Sequence, residues 1–183
     1  GIIILQHDSR EILNYALNCP EIGSICQNMR ILDNKDQRII RALQRNGRMT
    51  NQDLAAEVNL SPSPCLRRLK LLEQNGVITG YSANIDADAY GLPVTVFVHI
   101  KLESHTEAKV KQFEADIARV DQVLECFVMT GASDYLLRVV VVDLADYENF
   151  VRRKLHSIGS ITSIDSSFVY GVVKKTNVFP PIG

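Results

Sequence analysis

The sequence predicts an α+β chain of two unlike halves, and three observations carry that reading. Between Leu32 and Gly76 lie three short amphipathic stretches separated by turn signals. From Val94 onward, strand-like and helix-like runs alternate in the order β-α-β-β-α-β. Between the halves, ADAYGLP with Gly91 and Pro93 breaks both patterns and reads as a linker over residues 87–93.

The first helix is announced by Asp33, a capping residue, with Leu32 at the staple position. Ile39, Ile40 and Leu43 form its apolar stripe, and Asn46 and Gly47 stop it. Thr50 caps the second helix, Asp53 supports its first turn, and Leu54, Ala55 and Val58 share one face. Asn59 tolerates the left-handed backbone that a tight reversal needs, and Leu60 plugs the space between helices. Ser61 as N-cap and Pro62 at the first position start a third helix that runs to about Asn75, before the stop at Gly76. Leu66, Leu69 and Leu72 are expected to face the core, leaving Ser63, Arg67, Arg68 and Lys70 outward. VITGYSANI then predicts a small hairpin. Three helices, tight turns and a wing describe a winged helix-turn-helix domain over residues 29–86. Its third helix carries groups that meet phosphates and base edges. A basic helix face alone also fits a plain solvated surface; the two helices before it favour the DNA-binding reading.

In the second half, Val94, Val96, Val98, Ile100 and Leu102 alternate along a strand, and Val110, Phe113, Ile117 and Val120 fall at helical spacing. VLECFVMT and DYLLRVVVV are strand-like runs joined by GAS. Leu144, Tyr147, Val151, Leu155 and Ile158 mark a second helix, and residues from Ser166 to Val173 a last strand. The order is that of a ferredoxin-like βαββαβ domain over residues 94–173, followed by a tail over 174–183. The third strand is apolar on both sides, with Leu137, Val139 and Val141 alternating against Leu136, Val140 and Val142. A partner subunit is expected to cover the sheet face that the helices leave bare.

The motifs resemble those of the leucine-responsive regulatory protein and AsnC group of transcription regulators. Leu32 with Asp33, IIRALQRNGR, NQDLA, LSPSPCLRR and LLEQNGVI carry the resemblance, which extends from Met29 to the C-terminus. Asn59 stands where the group often has glycine. The resemblance implies double-stranded DNA as partner; the contact candidates are Ser61, Ser63, Pro64, Arg67, Arg68 and Lys70, with Arg68 expected on backbone phosphate and Ser63, Arg67 and Lys70 on base edges or neighbouring phosphates. It also implies a free amino acid as effector, no other cofactor, and homodimers that assemble into a larger ring, commonly an octamer. The group's effector turn, G-x-x-D-Y, is matched at Gly131, Asp134 and Tyr135. Backbone amides exposed by the glycine suit a carboxylate and the aspartate suits an ammonium group. Val128, Met129, Thr130 and Ser133 beside the turn, with Leu144, His156 and Phe168, complete the implied pocket, whose apolar lining favours Leu or Met. The same five residues, Gly131 to Tyr135, also describe an ordinary hairpin turn whose aspartate caps a backbone amide. His156 alone also fits a surface residue, and His7, His99 and His105 are given no role.

Composition bounds the alternatives. The chain has 183 residues, 46% of them hydrophobic, which suits one or two globular domains. Its net charge of −1 divides unevenly. Residues 29–86 hold nine basic side chains against six acidic, whereas residues 87–183 hold ten against twelve. A domain so modestly cationic is expected to bind DNA tightly only as several copies together. The run from Leu136 to Val142 is too short to span a bilayer, and no secretory signal is recognisable, so the chain is expected in the cytoplasm, on the nucleoid. Cys19, Cys26, Cys65 and Cys126 show neither disulfide-scaffold nor zinc-site spacing, and Cys65 and Cys126 read as small buried hydrophobes. Residues 1–28 carry no motif. They read as a non-native or mis-started extension before Met29, or as an arm atypical of the group, with the motif register favouring the former. DSREILNYALN within them could still form a helix. An enzyme is disfavoured, because no nucleophile with a base, no metal cluster and no phosphate loop can be assembled from the motifs. An architectural DNA-wrapping protein without effector control is the alternative.

Overall fold

The computed structural model describes residues 32–182; the expected start at Met29 and the helix expected in the leader lie outside them. The chain divides into two compact units, one running to Ser82 and taking in the last residues from Asn177, the other spanning Ala83–Thr176. The residues expected as one C-terminal tail are therefore shared between the units.

The first unit holds helices α1 (Asn34–Arg45), α2 (Asn51–Glu57) and α3 (Pro62–Gln74). Asp33 caps α1 by accepting from the amides of Lys35 and Asp36 at 2.9 and 2.8 Å. Thr50 caps α2 through the amide of Asp53, and its own hydroxyl donates back to the Asp53 carboxylate at 2.7 Å. Asn59 takes the left-handed conformation with φ of 54°, so the reversal between α2 and α3 forms without glycine. Ile39, Ala42, Leu54, Ala55, Val58, Cys65 and Leu72 are buried together, with Leu32, Ile40, Leu43, Leu60 and Leu69 packed partly against them.

The predicted wing does not form: residues 77–86 contain no strand. The amides of Val77 and Ile78 both bond the Leu72 carbonyl, and the Tyr81 hydroxyl donates to Glu73 at 2.8 Å, so the segment folds back onto α3. Gly80 does not take the positive φ that a two-residue hairpin turn requires. The expected linker is likewise more ordered than its composition suggests, because Asp86 caps a helical turn, α4 (Ala87–Tyr90), that Gly91 ends at φ of 97°.

The second unit is a four-stranded antiparallel sheet of order β2-β3-β1-β4, formed by β1 (Val94–Leu102), β2 (Val123–Val128), β3 (Tyr135–Val141) and β4 (Ile161–Phe168). That order and the β-α-β-β-α-β chain path are the ferredoxin-like arrangement. Helices α5 (Glu107–Ile117) and α6 (Leu144–Phe150) supply Phe113, Ile117, Tyr147 and Phe150 to one core with Val96, Val98, Ile100, Leu137 and Val139. Fully burying one such side chain contributes about 1.5–3 kcal/mol. After α6 the chain widens into a π-turn over Val151–Leu155, where the His156 amide reaches back to the Val151 carbonyl at 3.0 Å. The extra residue lets Phe150 and Leu155, five residues apart, both be buried; Leu144, at the first position of α6, is 65% exposed.

β4 begins and ends earlier than the sequence pattern suggested, its bounds fixed by pairing of Ile161 with Leu102 and Phe168 with Val96. On the face opposite the helices, Leu136, Val140, Phe97 and Phe127 surround a charged pair, Arg138 Nε donating to Glu125 at 2.6 Å. The outer side of β3 is therefore apolar except at its middle.

Candidate functional site

Helix α3 is built to present its N-terminal half. Pro62 occupies the first position, and Ser61 sits at the N-cap without making a side-chain cap bond. Pro64 at the third position has no amide hydrogen, which removes one of the two donors a capping hydroxyl uses. The inward face is Cys65, Leu69 and Leu72 rather than the expected Leu66, Leu69 and Leu72; Cys65 is fully buried and Leu66 is 39% exposed. A strict three-residue step rotates steadily off a 3.6-residue helix, whereas steps of four and three stay on one side. Burial pushes the Cys65 thiol above its usual range. Cys126, also expected inside, is exposed.

Five of the six DNA-contact candidates, Ser61, Ser63, Pro64, Arg67 and Lys70, are exposed. The sixth is not a free cation. Arg68 Nη1 donates to Asp36 at 2.8 Å and to Asp33 at 2.7 Å, joining α3 to the start of α1. Its hydrogen bonds to Asp36 and then to Asp33 hold the guanidinium charged still more firmly than usual. The Asp36 amide and the Arg68 guanidinium together outweigh burial and keep the Asp33 carboxyl below the ordinary range. Asn51 adds a tie that the sequence did not suggest, its side-chain amide donating to the Pro62 carbonyl at 3.0 Å and fixing the start of α3 against α2.

The second candidate is the turn between β2 and β3. Gly131 has φ of 120°, a conformation that side-chain-bearing residues rarely adopt. Met129 donates to the Asp134 carbonyl at 2.8 Å, and the Asp134 amide donates to Ile100 at 2.9 Å. Among the described residues, the four intervening amides of Thr130, Gly131, Ala132 and Ser133 make no backbone hydrogen bond. Consecutive open amides are the donor set that receives a carboxylate.

Asp134 is engaged on both oxygens. It accepts the Leu102 amide at 2.7 Å, the contact an ordinary capping turn makes, and lies 2.9 Å from His105 Nε2. Burial pushes its carboxyl up, but the Leu102 amide, His105 and Lys101 together prevail and hold it below the usual range. His99 Nδ1 lies 3.2 Å from the Ser133 hydroxyl. Neither histidine was distinguishable in the sequence, because only the pairing of β1 with β3 brings them to the turn. The alternation of β1 does place His99 on the side opposite Val98 and Ile100.

The other expected pocket residues fall into separate groups. Val128, Met129, Thr130 and Ser133 adjoin the turn, Val128 being 75% exposed, and Tyr135 is buried with its hydroxyl donating to Glu114 at 2.9 Å. His156 lines a cavity of about 330 Å³ with Leu155, Ile158, Ile161 and Ile164. Leu102, which pairs with Ile161, also donates to Asp134, so this cavity lies toward the turn's end of the sheet. Phe168 is opposite Val96 and packs edge-on against Tyr147, whereas Tyr135 is opposite Ile100. Four strand residues, ~13 Å, separate those rungs, so one chain does not bring Phe168 to the turn. Leu144 follows β3 at that same far end, where Val141 pairs with Val94.

Residues 32–79 match the winged helix-turn-helix DNA-binding family, and residues 95–179 match the Lrp/AsnC ligand binding domain. The Bkd operon transcriptional regulator of Pseudomonas aeruginosa is 43% identical over 151 residues, covering 82% of this chain and 98% of that protein. The chain belongs to the Lrp/AsnC family of transcription regulators. The leucine-responsive regulatory protein of Haemophilus influenzae is 37% identical over 146 residues, covering 80% of this chain and 88% of that relative. Among solved Lrp/AsnC structures, a Neisseria meningitidis transcriptional regulator in complex with L-Met superposes with a TM-score of 0.78 at 37% identity, over 81% of this chain and 96% of that one. An AsnC family regulator from Agrobacterium tumefaciens gives 0.77 at 38% identity, with coverage of 81% and 96%. Like these proteins, the chain is a DNA-binding transcription regulator with a helix-turn-helix domain and a ligand-binding domain. No helix among the described residues is long and apolar enough to cross a membrane.

Proposed function

We propose that this protein is a sequence-specific regulator of amino-acid metabolism whose DNA binding is set by a small free amino acid held at the Gly131–Asp134 turn. The observation that carries the reading is the row of four open amides beside the Asp134 carboxylate. A free amino acid presents a carboxylate to the former and an ammonium group to the latter, taking the place of His105. Apolar groups near the turn, Val128 and Met129, favour Leu or Met as the side chain. Support comes from the relatives, one named leucine-responsive and one crystallised with L-Met.

Because Leu144 and Phe168 lie at the far end of the sheet from the turn, they complete such a pocket only from another copy. The site then falls between dimers, and a dimer of sheets buries Phe97, Phe127 and Leu136. An amino acid that bridges dimers favours one assembly geometry and so one spacing of α3 helices. The architectural alternative draws on Asp134 being already satisfied by the Leu102 amide and His105.

Thermal unfolding of the full chain against millimolar free L-amino acids decides between them. One or two stabilisers are expected, since a ligand at about 100 times its Kd adds about 2.7 kcal/mol. A flat panel would sink the sensor reading and favour the architectural one. On the DNA side, Arg67→Ala is expected to weaken binding of the preferred duplex by about 1–3 kcal/mol and to relax sequence preference. Equal weakening on all duplexes would assign Arg67 to phosphate, and unchanged binding would remove it from the interface.

A further inference from the structure

The last residues of the chain do not trail from the molecule; they lie along α1. Gln37 donates to the Ile182 carbonyl and accepts the Ile182 amide, both at 3.1 Å. About two helical turns further along the same face, Gln44 donates to the Asn177 carbonyl at 2.7 Å and accepts the Phe179 amide at 3.0 Å. Each glutamine thus grips main chain through both ends of its amide, a contact that reads backbone rather than side chains. The Phe179 and Ile182 side chains remain mostly exposed.

The spacing fits a stiff peptide. Seven helical residues separate the two glutamines, about 10.5 Å of axial rise. Three residues separate the two captured amides, and a polyproline II strand covers about 9.3 Å in three. Between them stand Pro180 and Pro181, which have no amide hydrogen to leave unpaired and which pre-set that extended form. Little conformational entropy is then lost on docking.

Gln37 connects onward. Gln37 Nε2 also reaches the Leu32 carbonyl at 3.4 Å, immediately before Asp33. Asp33 caps α1 and, with Asp36, holds Arg68 on α3. The segment, α1 and the DNA-contacting helix are therefore linked, through Gln37, the Leu32–Asp33 main chain and Arg68, within a single compact unit.

We propose that Asn177–Ile182 is a strap that positions α1, and through it α3, for DNA, with Gln37 and Gln44 as its positioning residues. The strap continues the chain that leaves β4, so it is a second covalent connection between the two units. The inference rests on DNA binding through α3 and is independent of which amino acid is sensed.

The test compares the full-length chain with its Gln37→Ala/Gln44→Ala variant, using a duplex that the wild-type protein selects from a random-sequence library. Hydrogen exchange is followed at the Phe179 and Ile182 amides and at the Leu54 and Leu72 amides of the core. The expected result is rapid exchange at the first pair, unchanged protection at the second, and DNA binding weakened about 3- to 20-fold. The Gln37→Glu/Gln44→Glu variant keeps the two acceptors and loses both donors, and is expected to fall between the alanine variant and wild type. Released tail amides with unchanged DNA affinity would overturn the proposal. So would unaltered exchange at Phe179 and Ile182, or weakened binding that comes with lost protection at Leu54 and Leu72.

Discussion

Arg68→Ala is expected to destabilise the DNA-binding domain by about 2–3 kcal/mol in urea unfolding, a larger effect than loss of one phosphate contact. Breaking a fully buried ion pair costs about 3–5 kcal/mol, chiefly because the remaining charge is stranded. Here Asp36 is the stranded group, its side chain only 7% exposed, while Arg68 at 27% is partly screened by solvent, which lowers the figure. Asp36→Ala in the Arg68→Ala background is expected to restore part of the loss, as it removes the unpaired carboxylate. The pH dependence has a definite sign. The folded Asp33 carboxyl titrates below its unfolded value, so its share of the stability is present above about pH 4 and vanishes as pH falls through the folded value. Were Arg68 mainly a phosphate ligand, unfolding would be unchanged and the salt slope of DNA binding would drop by about one.

Asp134→Ala is expected to abolish the thermal shift produced by the stabilising amino acid, about 2.7 kcal/mol at 100 times its Kd, and to destabilise the free domain. The second effect, about 1–2 kcal/mol, comes from the Leu102 amide, which loses a charged acceptor at 2.7 Å in a position where Asp134 is 22% exposed. His105, 64% exposed, adds little to it. Because the folded carboxyl is held below its usual range, the difference between wild type and variant is expected to stay constant from neutral pH to about pH 4 and to disappear below. A variant that keeps the full ligand shift would move the ammonium site away from the turn.

The parts of this structure that were legible in advance are those decided within a few residues. Asp33 and Thr50 cap because their side chains reach their own next turn, and Asn59 bends the chain because of its own backbone tolerance. The apolar alternation of β1 needed no partner to be seen. What escaped depends on distant contacts. Arg68 looks like any outward cation until α1 places two carboxylates against it. His99 and His105 reach the turn between β2 and β3 only through strand pairing, and Phe168 is separated from it by the same register. Gln37 and Gln44 were ordinary helix-surface residues until the chain end returned to them. The missing wing shows the converse: residues with strand propensity formed no strand, because the amides of Val77 and Ile78 turn back to the Leu72 carbonyl and Tyr81 reaches Glu73 instead.

Arg138 and Glu125 sit in the middle of the sheet face that the helices leave uncovered, among Leu136, Val140 and Phe127. A surface laid over that face without matching polar groups would take this ion pair out of water for no return, a cost of several kcal/mol per unsatisfied charge. A copy of the same face carries the same pair and, related by a two-fold axis lying across the line from Arg138 to Glu125, would meet it with complementary signs. A purely apolar surface would leave the pair unmatched, so partner choice at this face would turn on charge placement rather than on greasiness.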